Sequence, residues 1–309
     1  MQLSSKIRTR ITTMEAPRIL YSNLDQSVNW ISKYGKGNVE TRFVRKRDDY
    51  FIAYVSSHSG CNQGCKFCHL TQQSQTTFDH VTIDTYVEQF ARVVDYYDEQ
   101  IASGKPVAKR VNINFMARGE PLANKHLVSY YPGLYSNFRY RAECSDLEPK
   151  VNISTIMPYT VRHRKLEDIF KGFPAHIYYS MYTVDEKFRK EWIPSAIPVG
   201  DALDKLKEYE ESTSLEYPVT FHWALINGKN DSVEGAKETA KVLRNYNFKS
   251  KFNLVRYNPH ENSKSEESER IEEIFNIINS AFNSSKSYIV PRVGPDVKAS
   301  CGMFVPDDE

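Results

Sequence analysis

The stretch that decides the fold runs from Tyr50 to Cys68 and reads YFIAYVSSHSGCNQGCKFC. Phe51–Val55 is a short apolar run stopped by Ser56, Ser57 and a turn at Gly60, as expected of a buried strand that empties into a loop. That loop carries Cys61, Cys65 and Cys68 in CxxxCxxC spacing. Thiolates bind iron–sulfur clusters, and three of them on a [4Fe-4S] cube leave one iron open. An open iron is what a cluster needs to chelate a second molecule and pass it an electron. Zinc is the alternative; it asks for four ligands, usually as two CxxC pairs, and here only His69 stands beside the last cysteine.

Outward from this segment, strand and helix signals alternate. Ile83, Tyr86, Val87, Phe90, Val93, Val94, Tyr97 and Ile101 keep a helical period behind Thr82, a candidate N-cap. Val111, Ile113 and Phe115 alternate with polar residues as a strand does. Further strands are predicted at Val151–Ile156, His176–Tyr182, Val219–Ile226, Lys251–Tyr257 and Ser287–Val290. Helices are predicted at Arg164–Phe170, Asp201–Tyr209, Ser232–Leu243 and Glu266–Phe282. Strands separated by helix-length segments imply βαβ crossovers, hence an α/β fold with a parallel sheet. Six such units fit between Phe51 and Phe282, and an open or closed β/α barrel suits them better than a sandwich. In such folds the chemistry sits at the C-terminal ends of the strands. Residues 1–45 read as a short N-terminal extension, with one strand near Val39–Val44, ahead of a core over 46–309.

The composition narrows the class. The 309 residues are 40% hydrophobic and 26% charged, with a formal net charge of +2, so overall charge nominates no polyanionic partner. Contact with nucleic acid would need local patches, such as Arg42, Arg45, Lys46 and Arg47, or Arg162, Arg164 and Lys165; solvated faces or turns are the plainer reading of both. No apolar run approaches the ~20 residues of a membrane span. Met1–Thr13, with Lys6, Arg8 and Arg10, lacks the apolar centre of a secretory signal. Five cysteines, three of them in one loop, point to a reducing compartment, with the cytoplasm as the default. A monomer is expected.

With an aromatic residue (Phe67) before its third cysteine, the CxxxCxxC segment resembles the radical S-adenosylmethionine (SAM) superfamily. The chain also resembles, from Val39 onward, the RlmN/Cfr family of RNA-adenosine methyltransferases. The likeness is carried by Val39-Glu40-Thr41, Val55-Ser56-Ser57 leading into Gly60-Cys61, Gly119-Glu120-Pro121-Leu122, Ser154-Thr155, Ser180, Asn230-Asp231 and Asn258-Pro259. It closes on Arg292-Val-Gly-Pro-Asp296 and Ala299-Ser300-Cys301-Gly302.

The resemblance implies a partial (β/α)6 radical-SAM barrel holding a [4Fe-4S] cluster on Cys61, Cys65 and Cys68, with SAM as cosubstrate. Cys301 would carry a methyl group on its sulfur and Glu40 would be a general base. Gly119, Glu120, Ser154, Ser180, Met181, Tyr182 and Asn258 would bind SAM. The substrate would be an adenosine of RNA (rRNA or tRNA), methylated at C2 or C8, and the electron would come from a flavodoxin- or ferredoxin-type reductant. C2 and C8 of adenine are electron-poor carbons without a nucleophilic lone pair, which is why such chemistry needs a radical and a protein-borne methyl group.

The chain departs from the family at several points. Tyr54 stands where the family has a second thiol that frees the product by disulfide exchange. Met181-Tyr182 and Ala117-Arg118 replace the family's usual pairs, and His69 follows the last cluster cysteine. The family's N-terminal helical RNA-binding domain has no counterpart in the 38 residues before Val39. Cys144, in a polar stretch, has no visible partner; it or an external thiol would have to take over the missing step. A radical SAM enzyme with another substrate, or an RNA-binding protein without turnover, are the alternatives these departures raise.

Overall fold

The computed structural model describes residues 12–261, 263–282 and 284–307, so the basic stretch of Lys6, Arg8 and Arg10 lies outside the described residues. The described chain forms a ten-stranded sheet whose strands neighbour one another in sequence order. Strands β1 (Arg18–Tyr21), β2 (Val28–Tyr34), β3 (Gly37–Val44) and β4 (Tyr50–Tyr54) are antiparallel. From β4 onward every pairing is parallel: β5 (Arg110–Phe115), β6 (Glu148–Thr155), β7 (His176–Tyr179), β8 (Val219–Ala224), β9 (Ser250–Val255) and β10 (Tyr288–Val290). The helices are α1 (His69–Gln72), α2 (Ile83–Ala102), α3 (Lys125–Glu143), α4 (Leu166–Phe170), α5 (Glu186–Trp192), α6 (Val199–Ser212), α7 (Val233–Tyr246) and α8 (Ile271–Asn279).

The six expected βα units are all present. Thr82 caps α2 by accepting from Thr85 N, and Ser232 caps α7 by accepting from Gly235 N. Val111, Ile113 and Phe115 turn outward and pack with Tyr86 and Phe90 of α2 in the core. The intervening residues turn inward. Side chains of β4 and of β10 line one interior cavity, so the parallel strands curl round a shared space.

Two differences from the sequence reading have physical causes. The N-terminal extension supplies three strands rather than one, because β2 is buried on both faces and shows no clean alternation. Helix α3 went unpredicted because Pro132 interrupts its pattern; the chain kinks there, with Tyr130 at φ −137°. Its N-cap, Asn124, accepts from His126 N and Leu127 N while its amide donates to Ser57 O and Val81 O. That cap ties α3 to the strand-to-loop corner before the cysteines.

Candidate active site

At the C-terminal ends of the strands lies a cavity of about 780 Å³. Cys61, Cys65 and Cys68 face it, together with Gly119, Glu120, Ser154, Ser180, Tyr182 and Cys301. Loops after four different strands therefore converge on one space, as expected of a parallel α/β sheet. The thiols feel one another: burial and then the neighbouring Cys68 push Cys61 up to about 12. Burial, then Cys61 and Cys68, drive Cys65 well above its ordinary value. Three buried thiols that resist ionisation together gain from a cationic iron cluster, which takes them as thiolates. Among the described residues no group of three Cys, His, Asp or Glu side chains is placed to hold a single metal ion.

Glu120 N-caps the short 3-10 turn Pro121–Ala123. Its carboxylate accepts from Leu122 N and from Ile156 N, each at 3.0 Å. Burial raises its pKa to about 7 against the pull of those hydrogen bonds. It is a carboxyl group whose charge awaits a cation. Gly119 has φ +93°, and a Cβ there would collide with His58 and Ser57, so only glycine brings this edge of backbone to the cavity. Phe67 stacks on Tyr182 with ring centres 4.4 Å apart. Tyr182 holds a left-handed φ of +65° and is kept there by Asn230, whose amide donates to Tyr182 O, and by Arg189, which donates to Met181 O.

Cys301 reaches the cavity on a segment that β3 holds by alternate side chains. Asn38 donates to Asp307 at 2.8 Å, Glu40 accepts from Val305 N at 2.9 Å, and Arg42 donates to Met303 O at 2.7 Å and to Ala299 O at 3.2 Å. As β3 ascends by two residues, the segment descends by two. Arg118 completes the clamp, donating to Glu40, Asp307 and Val305 O. Two further ties act near the thiol: Asn258 donates to Cys301 O at 2.9 Å, and His69 N donates to Gly302 O at 3.2 Å. Asp296 in turn binds Ser22 and Asn23 of the β1–β2 turn.

Three of the expected site residues stand apart from the cavity wall. Glu40 is 0% exposed and both its oxygens are taken, by Arg42 and Asn29 on one and Arg118 and Val305 N on the other. Burial alone would raise its pKa, but Arg42 and Arg118 outweigh that and hold it below the ordinary value. In this arrangement it clamps the Cys301 segment. Asn258 gives its amide hydrogens to Cys301 O and Arg256 O and accepts from Arg292 at 2.8 Å, so it positions Cys301. Met181 is fully buried in the core and does not face the cavity. The patch at Arg42–Arg47 also dissolves, since Arg42 and Arg45 are buried and bonded internally, whereas Arg162, Arg164 and Lys165 are exposed on the loop after β6.

Tyr54 lines a second, adjoining cavity together with Cys301, Arg42 and His222. Burial, and after it the neighbouring Cys301, raises the pKa of its phenol. Cys144 is elsewhere. It caps the C-terminus of α3 just before β6 begins, whereas the cavity opens at the far end of that strand. Eight residues at ~3.3 Å each put roughly 25 Å between them. Arg118 escaped the sequence reading as a functional residue, and Arg42 was read there only as part of a candidate surface patch. The available signal was Asn38, Glu40 and Arg42 at every second position of a strand whose other face is Val39, Thr41 and Phe43.

Known proteins bear on this arrangement. The family described as the Radical SAM superfamily matches residues 55–267. The chain is 27% identical over 325 aligned residues to "Dual-specificity RNA methyltransferase RlmN" of Chelativorans sp. (strain BNC1), covering 98% of this chain and 76% of that protein. It is 26% identical to "Probable dual-specificity RNA methyltransferase RlmN" of Clostridium botulinum (strain Loch Maree), over 93% of this chain and 80% of the relative. The solved structure of a radical SAM methyltransferase from Sphaerobacter thermophilus shares the fold, with a TM-score of 0.75 at 22% identity over 96% of this chain and 82% of that one.

Proposed function

The chain belongs to the radical SAM superfamily, and on that premise we propose that it is a methyltransferase acting on an adenosine base of RNA, at C2 or C8, with Cys301 as the methyl carrier. One observation carries this reading: Cys301 opens onto the same cavity as Cys61, Cys65 and Cys68, on a segment clamped along its length. A spare thiol needs no such mounting. The curled parallel sheet reads as the partial (β/α)6 barrel that the superfamily implies.

Cys61, Cys65 and Cys68 would hold a [4Fe-4S] cluster, and Gly119, Glu120, Ser154, Ser180 and Tyr182 face the space where SAM would bind. When bound, the cluster supplies an electron, and SAM supplies a methyl group and a 5′-deoxyadenosyl radical. The chain's own part is positional and electrostatic. Glu120 offers a carboxylate to an ammonium group, and the Gly119 backbone lies beside it. Cys301 is exposed to the cavity; the surrounding walls desolvate it and favour the thiol, while Arg42 pulls it back toward the thiolate that a nucleophile requires. Arg162, Arg164 and Lys165 offer exposed positive charge on the loop after β6, on the cavity side, for an RNA backbone. The names of the two relatives support RNA as the substrate class, rRNA or tRNA. A flavodoxin- or ferredoxin-type protein would deliver the electron. Free thiols suit a reducing compartment such as the cytoplasm.

A second reading is favoured by Tyr54, a phenol beside Cys301 that cannot form a disulfide with it. On that reading the radical chemistry is kept, but the substrate or the outcome differs. Anaerobic reconstitution with iron, sulfide, SAM, reductant and total RNA, followed by nucleoside mass spectrometry, decides between them. 2-Methyladenosine or 8-methyladenosine supports the first reading; SAM cleavage with neither product supports the second.

A further inference from the structure

The parallel strands enclose a second chamber at their N-terminal ends, opposite the cysteine loop, with a volume of about 1510 Å³ where it opens to solvent. Tyr54 lines both this chamber and the cavity beside Cys301, and with Val290, Pro291 and Val293 it forms the partition between them. The chamber has a distinct chemistry. Arg110 of β5, Lys150 of β6, Lys251 of β9 and Lys286 just before β10 face it, with Lys46 and Arg47 at the rim, and none of its described lining residues is acidic. At the rim Glu216 pairs with Lys286 at 3.0 Å. Lys150 and Lys251 are partly buried rather than splayed into water. Burial, then Lys251, Arg110 and Lys286, push Lys150 down to about 8.

Deeper inside, the wall changes character. Asn112 Oδ1 and Asn152 Oδ1 are buried acceptors without a hydrogen-bond partner, and Asn152 is only 2% exposed. The Asn152 amide donates to Asn114 at 2.6 Å, and both orphaned oxygens are closed off from solvent. Tyr50, Tyr178 and Tyr288 add aromatic faces. A solvated basic surface accounts for Lys46 and Arg47. It does not account for like charges crowded into a recess, because their repulsion costs free energy until an anion occupies it.

We infer that this chamber is a binding site for a nucleoside phosphate, with the base inside against the tyrosines and the phosphates held by the lysines and arginine at the mouth. The rings stack on the face of the base, and the cations neutralise the phosphate oxygens. A free nucleotide fits better than an internal stretch of polynucleotide, because strands wall the recess on its sides. The site is separate from the one proposed for SAM and does not depend on RNA being the substrate.

Equilibrium dialysis on cluster-reconstituted protein saturated with SAM tests it, using ATP, AMP, inorganic pyrophosphate, adenosine and an RNA oligonucleotide as probes. ATP is expected to bind with SAM in place, to weaken at least tenfold in Lys150→Met/Lys251→Met, and to weaken with rising salt; AMP should bind less tightly and adenosine far less. Removing like charges should not harm folding, so the same double variant should unfold at a higher temperature than wild type without ligand. The inference is overturned if ATP does not bind, if SAM displaces it, or if the double variant binds it equally. It is also overturned if adenosine or pyrophosphate binds as tightly as ATP, if only the oligonucleotide binds, or if the unliganded variant is no more stable.

Discussion

Arg118 Nε lies 3.0 Å from Glu40 Oε1, and neither side chain has any exposure to solvent. The pair joins β3 to the turn that follows β5, and the same Glu40 oxygen receives Val305 N. Glu40 also holds Arg42, so two buried guanidinium groups share one carboxylate, and Asp307 adds a second negative charge at Arg118. Removing one partner of a buried pair leaves an uncompensated charge, which costs about 3–5 kcal/mol.

Glu40→Gln is therefore expected to lower the unfolding midpoint by several degrees and to expose the Met303–Asp307 segment to limited proteolysis. The pH dependence has a definite sign. Glu40's folded pKa lies below its ordinary 4.5, so the unfolded chain binds more protons in that window. The stabilisation is complete above pH 4.5 and drains away as pH falls through the depressed folded value. Acid unfolding followed by circular dichroism should show that slope in wild type and a flatter one in the variant.

Each of Cys61→Ala, Cys65→Ala and Cys68→Ala should abolish cluster binding while leaving the fold in place, because these side chains sit on a loop outside the core strands. Iron and sulfide analysis after anaerobic reconstitution should give about four of each per wild-type chain and near none for the variants. A colourless wild-type protein would overturn the assignment.

Cys301 is expected to carry the mass of one added methyl group in protein expressed with an intact cluster, as read by peptide mass spectrometry. Cys301→Ala should keep cluster and SAM binding and lose RNA methylation. Tyr54 gives a sharper test. If release of the product needs a thiol that this chain lacks, wild-type turnover should depend on added dithiothreitol, and Tyr54→Cys should remove that dependence. Thiol-independent turnover by wild type would show that another step releases the product.

Glu120 sets a pH dependence for SAM binding. With its pKa near 7 in the open cavity, it must lose a proton to pair with an ammonium group. Affinity should rise up to tenfold per pH unit below 7 and level off above it. Glu120→Gln should bind weakly with no such slope. Isothermal titration across pH 5.5–8.5 reads both, and a flat wild-type profile would remove Glu120 from the site.

Much of this was legible in the chain. The β4 run and its three cysteines announced the first parallel strand and the loop that lines the cavity, because period and spacing are local properties. The caps at Thr82 and Ser232 were readable for the same reason. The clamp around Glu40 was not, because it depends on Arg118 and Val305, distant positions that no local pattern couples. The tie from Asn258 to Cys301 O was hidden likewise: an amide at a strand end suits a cosubstrate or a backbone carbonyl equally well. Arg118 looked like a departure from an apolar pattern, yet Glu40 and Asp307 balance its charge.

The clamp on β3 also imposes a sequence on maturation. β3 and the cysteine loop leave the ribosome long before the segment bearing Cys301, so one wall of the pocket is missing while most of the chain folds. The docking of residues 299–307 across β3 is then the step that brings Cys301 to the three thiols. Whatever fills the pocket beforehand meets a wider mouth, and whatever comes afterwards enters past Cys301, which stays exposed.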